Sequence, residues 1–431
     1  MKNKYKLLGL IFCLIITVNS SLHTLADSIF FGLVGPEYQP FAKLISFFTI
    51  LILVGIYGNL VDNLSRKKVF YILVAFYAIG AFIFSILLSN VTYGIPNTVT
   101  SPTRILGWNW YVFVESIGTM FVPLFWAFAA DVSTQDSARR GFPFIALCGQ
   151  LGNIIGPWFL RATRLGFKNS APIVAIAGGL LICVGIFVWI FMMVTPKTDF
   201  HPVTQQTPDE KPGFLEGLKL LVTQSYLLGI FLFMLAFETI HTIVEYYFKL
   251  QVNAAFTTEA LRSNYLATFA VITGLLSFFC LLFGVSNIQR KLGMRASLIT
   301  LPFIMIGGIT IWWFIPTLLV SGIVVVIFKG LNYSINQPSV KQLYIPTSED
   351  TRYKAQAWIE VFGSRGSKTI GSMINNLKLP LTNYLGATTG LTVFLSIASL
   401  TSFSLLALWI FIAFFVPAQY NKAIKDDTLV C

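Results

Sequence analysis

Long runs of apolar residues dominate the chain, broken at near-regular intervals by short polar stretches. About 20 consecutive apolar residues in a helix cross the roughly 30 Å of hydrocarbon in a bilayer. Runs of this kind fall at 7–34, 40–63, 69–89, 107–130, 140–161, 172–195, 222–249, 263–286, 296–314, 318–342, 355–380 and 386–416. The pattern predicts an all-α polytopic membrane protein with about twelve transmembrane helices. Between the sixth and seventh runs lies Pro196 to Phe214, a polar stretch with four prolines and no apolar periodicity, which reads as a cytoplasmic linker. The predicted organisation is an N-terminal six-helix half (1–195), the linker (196–218), and a C-terminal six-helix half with a short cytoplasmic tail (219–431).

Composition removes the competing classes. Hydrophobic types make up 55% of the chain and charged types 11%, against roughly 25% charged in soluble domains. A soluble enzyme, a disordered scaffold and a disulfide-rich secreted protein are all excluded. The net charge of +12 reads mainly as positive-inside topology, not as a nucleic-acid surface, with a remainder free to line a path for an anion. Lys2, Lys4, Lys6, Arg66, Lys67, Lys68, Arg139, Arg140, Arg290, Lys291, Arg295, Arg352 and Lys354 fall at termini or even-to-odd connections, which places both termini in the cytoplasm. Arg161, Arg164 and Lys168 fall on the opposite side. The N-terminal MKNKYK and its apolar run resemble a signal peptide, but no small-residue cleavage pattern accompanies them, so the run reads as a retained first span. The five cysteines are isolated and the three histidines scattered, so neither a metal site nor a cofactor is indicated.

An ionisable group inside a span costs a few kcal/mol, so each marks a candidate site. Arg365 lies ten residues into the eleventh run, or about 15 Å at a helical rise. Lys368 lies one turn later on the same face. Lys329 is about as deep in the tenth run, and Glu115 sits within the fourth. Glu238, Thr242, Glu245 and Lys249 form a stripe along the seventh, with His241 beside it. Cations at mid-depth fit an aqueous cavity that accepts an anion. The plainer alternative is mutual pairing: Glu245 with Lys249 at i+4, or Glu360 and Asp27 reaching Arg365 and Lys368. The chain has no GxxxxGK[ST] loop, which argues against a hydrolysis-driven pump, and no nucleophile–base pair or catalytic domain, which argues against an enzyme.

Two resemblances sharpen this. The connection Gly58-Asn59-Leu60-Val61-Asp62-Asn63-Leu64-Ser65-Arg66-Lys67 resembles the major facilitator loop Gly-x-x-x-Asp-Arg-x-Gly-Arg-Arg, which implies a gating role for Asp62 and Arg66 at the inner mouth. Seven segments are spread over most of the chain: Leu22-His23-Thr24-Leu25-Ala26-Asp27, Pro40-Phe41-Ala42-Lys43, Tyr111-Val112-Phe113-Val114-Glu115, Val244-Glu245 with Lys249, Tyr333-Ser334-Ile335, Tyr344-Ile345-Pro346, and Ile359-Glu360-Val361-Phe362-Gly363-Ser364-Arg365 with Lys368. Together they resemble the nucleotide transporter (ATP/ADP translocase) family of intracellular bacteria and plastids.

The resemblance implies a major-facilitator-like carrier in a bacterial inner membrane. It would move ATP, ADP or another nucleoside triphosphate by alternating access, as exchange or as proton-coupled import. A general major facilitator carrier for another anionic metabolite is the alternative. Lys43, Lys329, Arg365, Lys368, Asn332 and His23 are then the expected substrate-binding residues, and Asp27, Glu115, Glu245, Lys249, Asp62 and Arg66 the coupling or gating residues. A monomer is expected, and no nucleic-acid partner. The chain departs from the family at His23 and Ala26, where the family has Arg and Lys. Family lysines also fall on Asn332 and Val340, with Lys341 one place after the latter. His23 titrates near pH 6.5 when unperturbed and Asp27 is one turn away, which is why proton coupling is weighed beside exchange.

Overall fold

A computed structural model describes residues 2–133, 135–195, 214–283, 285–344, 346–347, 359–426 and 428–430. Most of the predicted linker (196–213) lies outside the described residues, as do the side chains of Asp62, Arg66 and Glu360. The fold is all-helical: α1 Lys2–Leu33, α2 Gln39–Asn63, α3 Arg66–Ser89, α4 Ile105–Asp131, α5 Gln135–Phe159, α6 Ala171–Val194, α7 Ser225–Ala255, α8 Glu259–Phe283 and α9 Val285–Phe314, which bends at Gly293. α10 is Leu318–Leu331, continued through a π-helical turn at Asn332–Asn336 into Gln337–Gln342. A second π-helical segment, Ile359–Gly366, leads into α11, Ser367–Asn375, and α12 is Ala387–Asp426.

Ten helices among the described residues are long and apolar enough to cross a bilayer. A backbone in hydrocarbon must satisfy its own hydrogen bonds, and a helix does so within one segment. Ile52, Phe76, Ile86, Trp189, Met193 and Phe411 are large, apolar and exposed, as lipid-facing positions are. This is a multi-pass membrane protein. The two predicted runs outside that set, at 140–161 and 355–380, correspond to α5, diluted by glycine and polar residues, and to the short α11 behind its π segment.

The chain forms two compact units. Unit 1 comprises Met1–Thr207 with Val252–Gly274, and unit 2 comprises Pro208–Gln251 with Leu275–Cys431. In unit 1, α1 packs on α4, α5 and α6, and α3 packs on α6, around a core that includes Tyr77, Trp110, Phe121 and Phe125. Small residues allow the closest approach. A Cβ on Gly152 would lie 2.5 Å from the Cys13 carbonyl oxygen, and one on Gly156 would lie 2.5 Å from that of Thr17. This four-residue spacing is the small-xxx-small device by which membrane helices touch without a hydrophobic driving force.

The first part of α8 belongs to unit 1 through polar contacts. The buried Glu259 carboxylate accepts hydrogen bonds from the Ser170 backbone N–H (3.1 Å), the Ser170 hydroxyl (2.7 Å) and the Ser28 hydroxyl (3.3 Å). Arg161, read from sequence as a charge on the wrong side, donates to Asn264 (3.2 Å) and Thr268 (2.8 Å). Removing a partner from a buried polar network strands the others, at about 1–3 kcal/mol. Glu259→Ala is therefore expected to lower the melting temperature of the purified protein. A melting point equal to wild type would show that this network does not hold unit 1 together.

Outside the spans, one loop has its own organiser. The Arg104 guanidinium donates to the carbonyls of Tyr93, Gly94, Asn97 and Val99 at 2.7–3.0 Å and gathers the connection before α4 around itself. Partial burial there holds its pKa below the ordinary guanidinium value.

Candidate functional site

Unit 2 concentrates ionisable groups in what the sequence reads as hydrocarbon. On α7, Glu238, His241, Thr242 and Lys249 are all buried, and Glu245 is largely so. Their spacing of three and four residues keeps them near one side of the helix. The Glu245 carboxylate is a hub. Lys249 Nζ lies 3.2 Å from its Oε2, while Lys329 Nζ of α10 lies 3.6 Å, and His241 Nε2 3.9 Å, from its Oε1. One carboxylate thus faces two ammonium groups. Lys329 is about one-third exposed, with its side chain at 34%.

A second pair lies further along α7. Lys368 Nζ of α11 is 3.8 Å from Glu238 Oε2, and the lysine side chain is 48% exposed. α11 is held to α7 by two buried hydrogen bonds, Thr239 Oγ1 to the Ser367 carbonyl (3.1 Å) and Asn375 Nδ2 to the Thr242 carbonyl (3.2 Å). Gly371 makes that approach possible: a Cβ there would lie 2.9 Å from both the Thr239 carbonyl oxygen and Thr242 Cβ.

The two π-helical interruptions carry the remaining candidates of this unit. Asn332 opens the first, one turn after Lys329, and Arg365, half-buried, stands near the end of the second. A π turn admits an extra residue and re-aims the side chains beyond it, and such turns cluster at functional sites. Hydroxyls cover carbonyls just beyond the second: Thr369 donates to Arg365 O (3.1 Å) and Ser372 to Lys368 O (2.8 Å). Asn336 Nδ2 donates to Asn332 Oδ1 at 2.8 Å, locking the first turn's amides together. Both π segments and α7 border a cavity of about 250 Å³ whose wall includes Phe237, Glu238, Asn332, Asn336, Lys341 and Ser364. Fixed cations beside a polar cavity can bind an anionic group, as bidentate contacts from Arg or as a point charge from Lys.

The other predicted residues lie in unit 1. His23 Nε2 of α1 is 3.4 Å from Glu115 Oε1 of α4, with side chains 49% and 21% exposed. Asp27 is buried, and Gln39 Nε2 donates to its Oδ1 (3.0 Å) and to the Tyr111 hydroxyl (3.2 Å). Lys43 lies in the second turn of α2. Asp62 and Arg66 sit at the end of α2 and the start of α3.

Sequence reasoning left out the Glu238–Lys368 contact and the role of Asn336. The two charges are 130 residues apart, so no local spacing signals them. Asn336 had a usable signal, an i+4 amide pair with Asn332.

Comparison with known proteins places this arrangement. The family model described as TLC ATP/ADP transporter matches residues 2–420. The chain is 25% identical to ADP,ATP carrier protein 1 of Rickettsia bellii over 471 aligned residues, covering 97% of this chain and 93% of that protein. It is 24% identical to the chloroplastic ADP,ATP carrier protein 2 of Arabidopsis thaliana, covering 87% of this chain and 67% of that one. Among solved structures, the nucleoside transporter NupG in a mutant form superposes with a TM-score of 0.68 at 17% identity, over 94% of this chain and 99% of that one. A bacterial homologue of the iron transporter ferroportin, inward-facing, gives a TM-score of 0.66 at 10% identity, over 96% and 99%. These likenesses establish a major-facilitator-type fold. With a match across nearly its whole length, the chain belongs to the TLC ATP/ADP transporter family.

Proposed function

We propose that this protein carries nucleoside di- or triphosphates across a bacterial inner membrane, with both termini cytoplasmic, by exchange through a site that includes the cations of unit 2. The observation that carries the reading is a cluster of ammonium groups within the predicted spans of unit 2, Lys249 and Lys329 on the Glu245 carboxylate and the half-exposed Lys368 on Glu238, in a chain of this family. A nucleoside triphosphate brings three to four negative charges, and fixed ammonium and guanidinium groups neutralise them without any chemistry on the phosphates. Lys43, Lys329, Arg365, Lys368, Asn332 and His23 are the proposed binding residues, and Asp27, Glu115, Glu245, Lys249, Asp62 and Arg66 the proposed coupling or gating residues.

The deciding experiment is uptake of labelled ATP into proteoliposomes, empty or preloaded with unlabelled ADP, with and without an inward proton gradient. Uptake that requires internal nucleotide is expected. Uptake into empty vesicles that rises with the gradient would replace exchange by proton-coupled import, with His23 and Glu115 as the first groups to substitute. Saturable transport of another anion with none of ATP or ADP would return the reading to a general anion carrier.

Lys368→Ala is expected to weaken triphosphates more than monophosphates, because the lost point charge acts on the phosphate tail. Competition of ATP and AMP against labelled ATP measures this. Equal losses for the two would move Lys368 out of the phosphate subsite.

A further inference from the structure

Arg161, Arg164 and Lys168 follow α5 in unit 1 on the side where the sequence pattern disfavours cations, and no acidic residue lies among them. The fold accounts for Arg161, which donates to Asn264 and Thr268. Arg164 and Lys168 are exposed, and their side chains make no hydrogen bond or ion pair among the described residues. Aromatic rings hold Arg164 instead. Its guanidinium carbon lies 5.1 Å from the centroid of the Trp158 ring and 5.0 Å from that of Phe159, and the Arg161 guanidinium carbon lies 5.4 Å from the same Trp158 ring. Both rings are exposed in the last turn of α5, the depth at which tryptophan meets lipid headgroups. The loop that follows has its own structure. Ala162–Leu165 forms one helical turn, Gly166 takes the left-handed conformation (φ 76°), and the Phe167 N–H donates to the Ala162 carbonyl at 2.9 Å. Leu165 and Phe167 are exposed as well. Two guanidinium groups thus share one exposed indole at a span end, with no ion-paired carboxylate among the described residues.

We propose that Trp158, Arg164 and Lys168 bind the phosphate of an anionic phospholipid in the leaflet opposite the N-terminus, with the lipid's hydrocarbon against the exposed rings of Trp158 and Phe159. A guanidinium stacked on an aromatic ring uses its face and keeps its N–H edge, which matches two phosphate oxygens at once. Lys168 adds a point charge that needs no fixed direction. The apolar surface beside these cations is what separates a lipid from a free phosphate, because the ligand has to carry an anion and hydrocarbon together. A zwitterionic lipid brings its own ammonium group to the same place, so the site favours a headgroup with net negative charge. The proposal depends neither on the nucleotide reading nor on the site in unit 2.

The test uses the full chain in nanodiscs of phosphatidylcholine and phosphatidylglycerol, with the acyl chains of one lipid or the other brominated. Bromine quenches nearby tryptophan, and the difference between each protein and its Trp158→Phe counterpart isolates the signal of Trp158. Phosphatidylglycerol is expected to be preferred there by about five-fold, the worth of one cation at a membrane surface. Arg164→Gln combined with Lys168→Gln is expected to abolish the preference and leave the melting temperature unchanged, since neither side chain hydrogen-bonds a described residue. Arg164→Lys is expected to keep about two-fold, because the charge remains while the planar contact is lost. A wild type without preference, or a double variant that keeps it, overturns the proposal. Full preference in Arg164→Lys would mean diffuse attraction by charge and no defined site. Inorganic phosphate at matched ionic strength is expected to leave the preference in place, and its collapse would assign these cations to a free anion instead of a lipid.

Discussion

Glu245→Ala is expected to abolish transport and to reduce the amount of folded protein. The substitution removes the carboxylate that the buried Lys249 and the one-third-exposed Lys329 share. Stranding a fully buried charge costs about 3–5 kcal/mol. Solvent reaches Lys329, so the expected loss here is smaller, about 2–3 kcal/mol. Thermal unfolding in detergent measures it. A companion variant separates stability from function. Glu245→Leu combined with Lys249→Met removes a pair of opposite charges together and is expected to recover much of the stability without recovering transport. A Glu245→Ala protein with wild-type melting behaviour would show that the cluster is solvated and not mutually held.

Arg365→Ala is expected to cut transport by at least ten-fold while the protein accumulates at nearly normal levels. Hydrogen bonds to charged groups contribute about 1.5–3 kcal/mol, which is about 10- to 150-fold in affinity. The half-buried residue stands in a π segment, and the Thr369 hydroxyl donates to its carbonyl. Arg365→Lys should fall between, since an ammonium keeps the charge but loses the planar two-point contact. Uptake rates and apparent affinities of the three forms, measured side by side, decide it. Wild-type rate and affinity in Arg365→Ala would remove the residue from the substrate path.

Features that depend on short-range periodicity were legible in the chain, and features that depend on distant contacts were not. The apolar runs mark the helices because hydrocarbon length is a hard constraint, and Glu245 with Lys249 is readable as an i+4 pair. Their third partner, Lys329, and the Glu238–Lys368 contact join separate helices. No spacing rule connects them. The π turns at Asn332 and Arg365 were invisible for another reason. Over five to eight residues, apolar periodicity does not separate one helical period from another, and the run at 355–380 reads as an ordinary span. Glu259 and Arg161 were missed or misread because charges near a span end look like solvated caps. In the folded chain α8 begins at Glu259, four residues before the predicted start at 263, and its first turns are packed on Ser28 and Ser170.

That packing of α8 bears on how the protein can be cut. A gene fragment ending in the linker would encode the first six predicted spans but omit Val252–Gly274, which belongs to unit 1. Such a fragment would lack the Glu259 carboxylate and leave Ser28 and Ser170 without their common acceptor. The halves marked out by the polar linker and the compact blocks of the folded chain therefore have different borders. Dissection, domain swapping between relatives, or insertion of a reporter at the midpoint has to respect the second of these, because a chimera joined at the linker pairs one parent's serines with the other parent's helix.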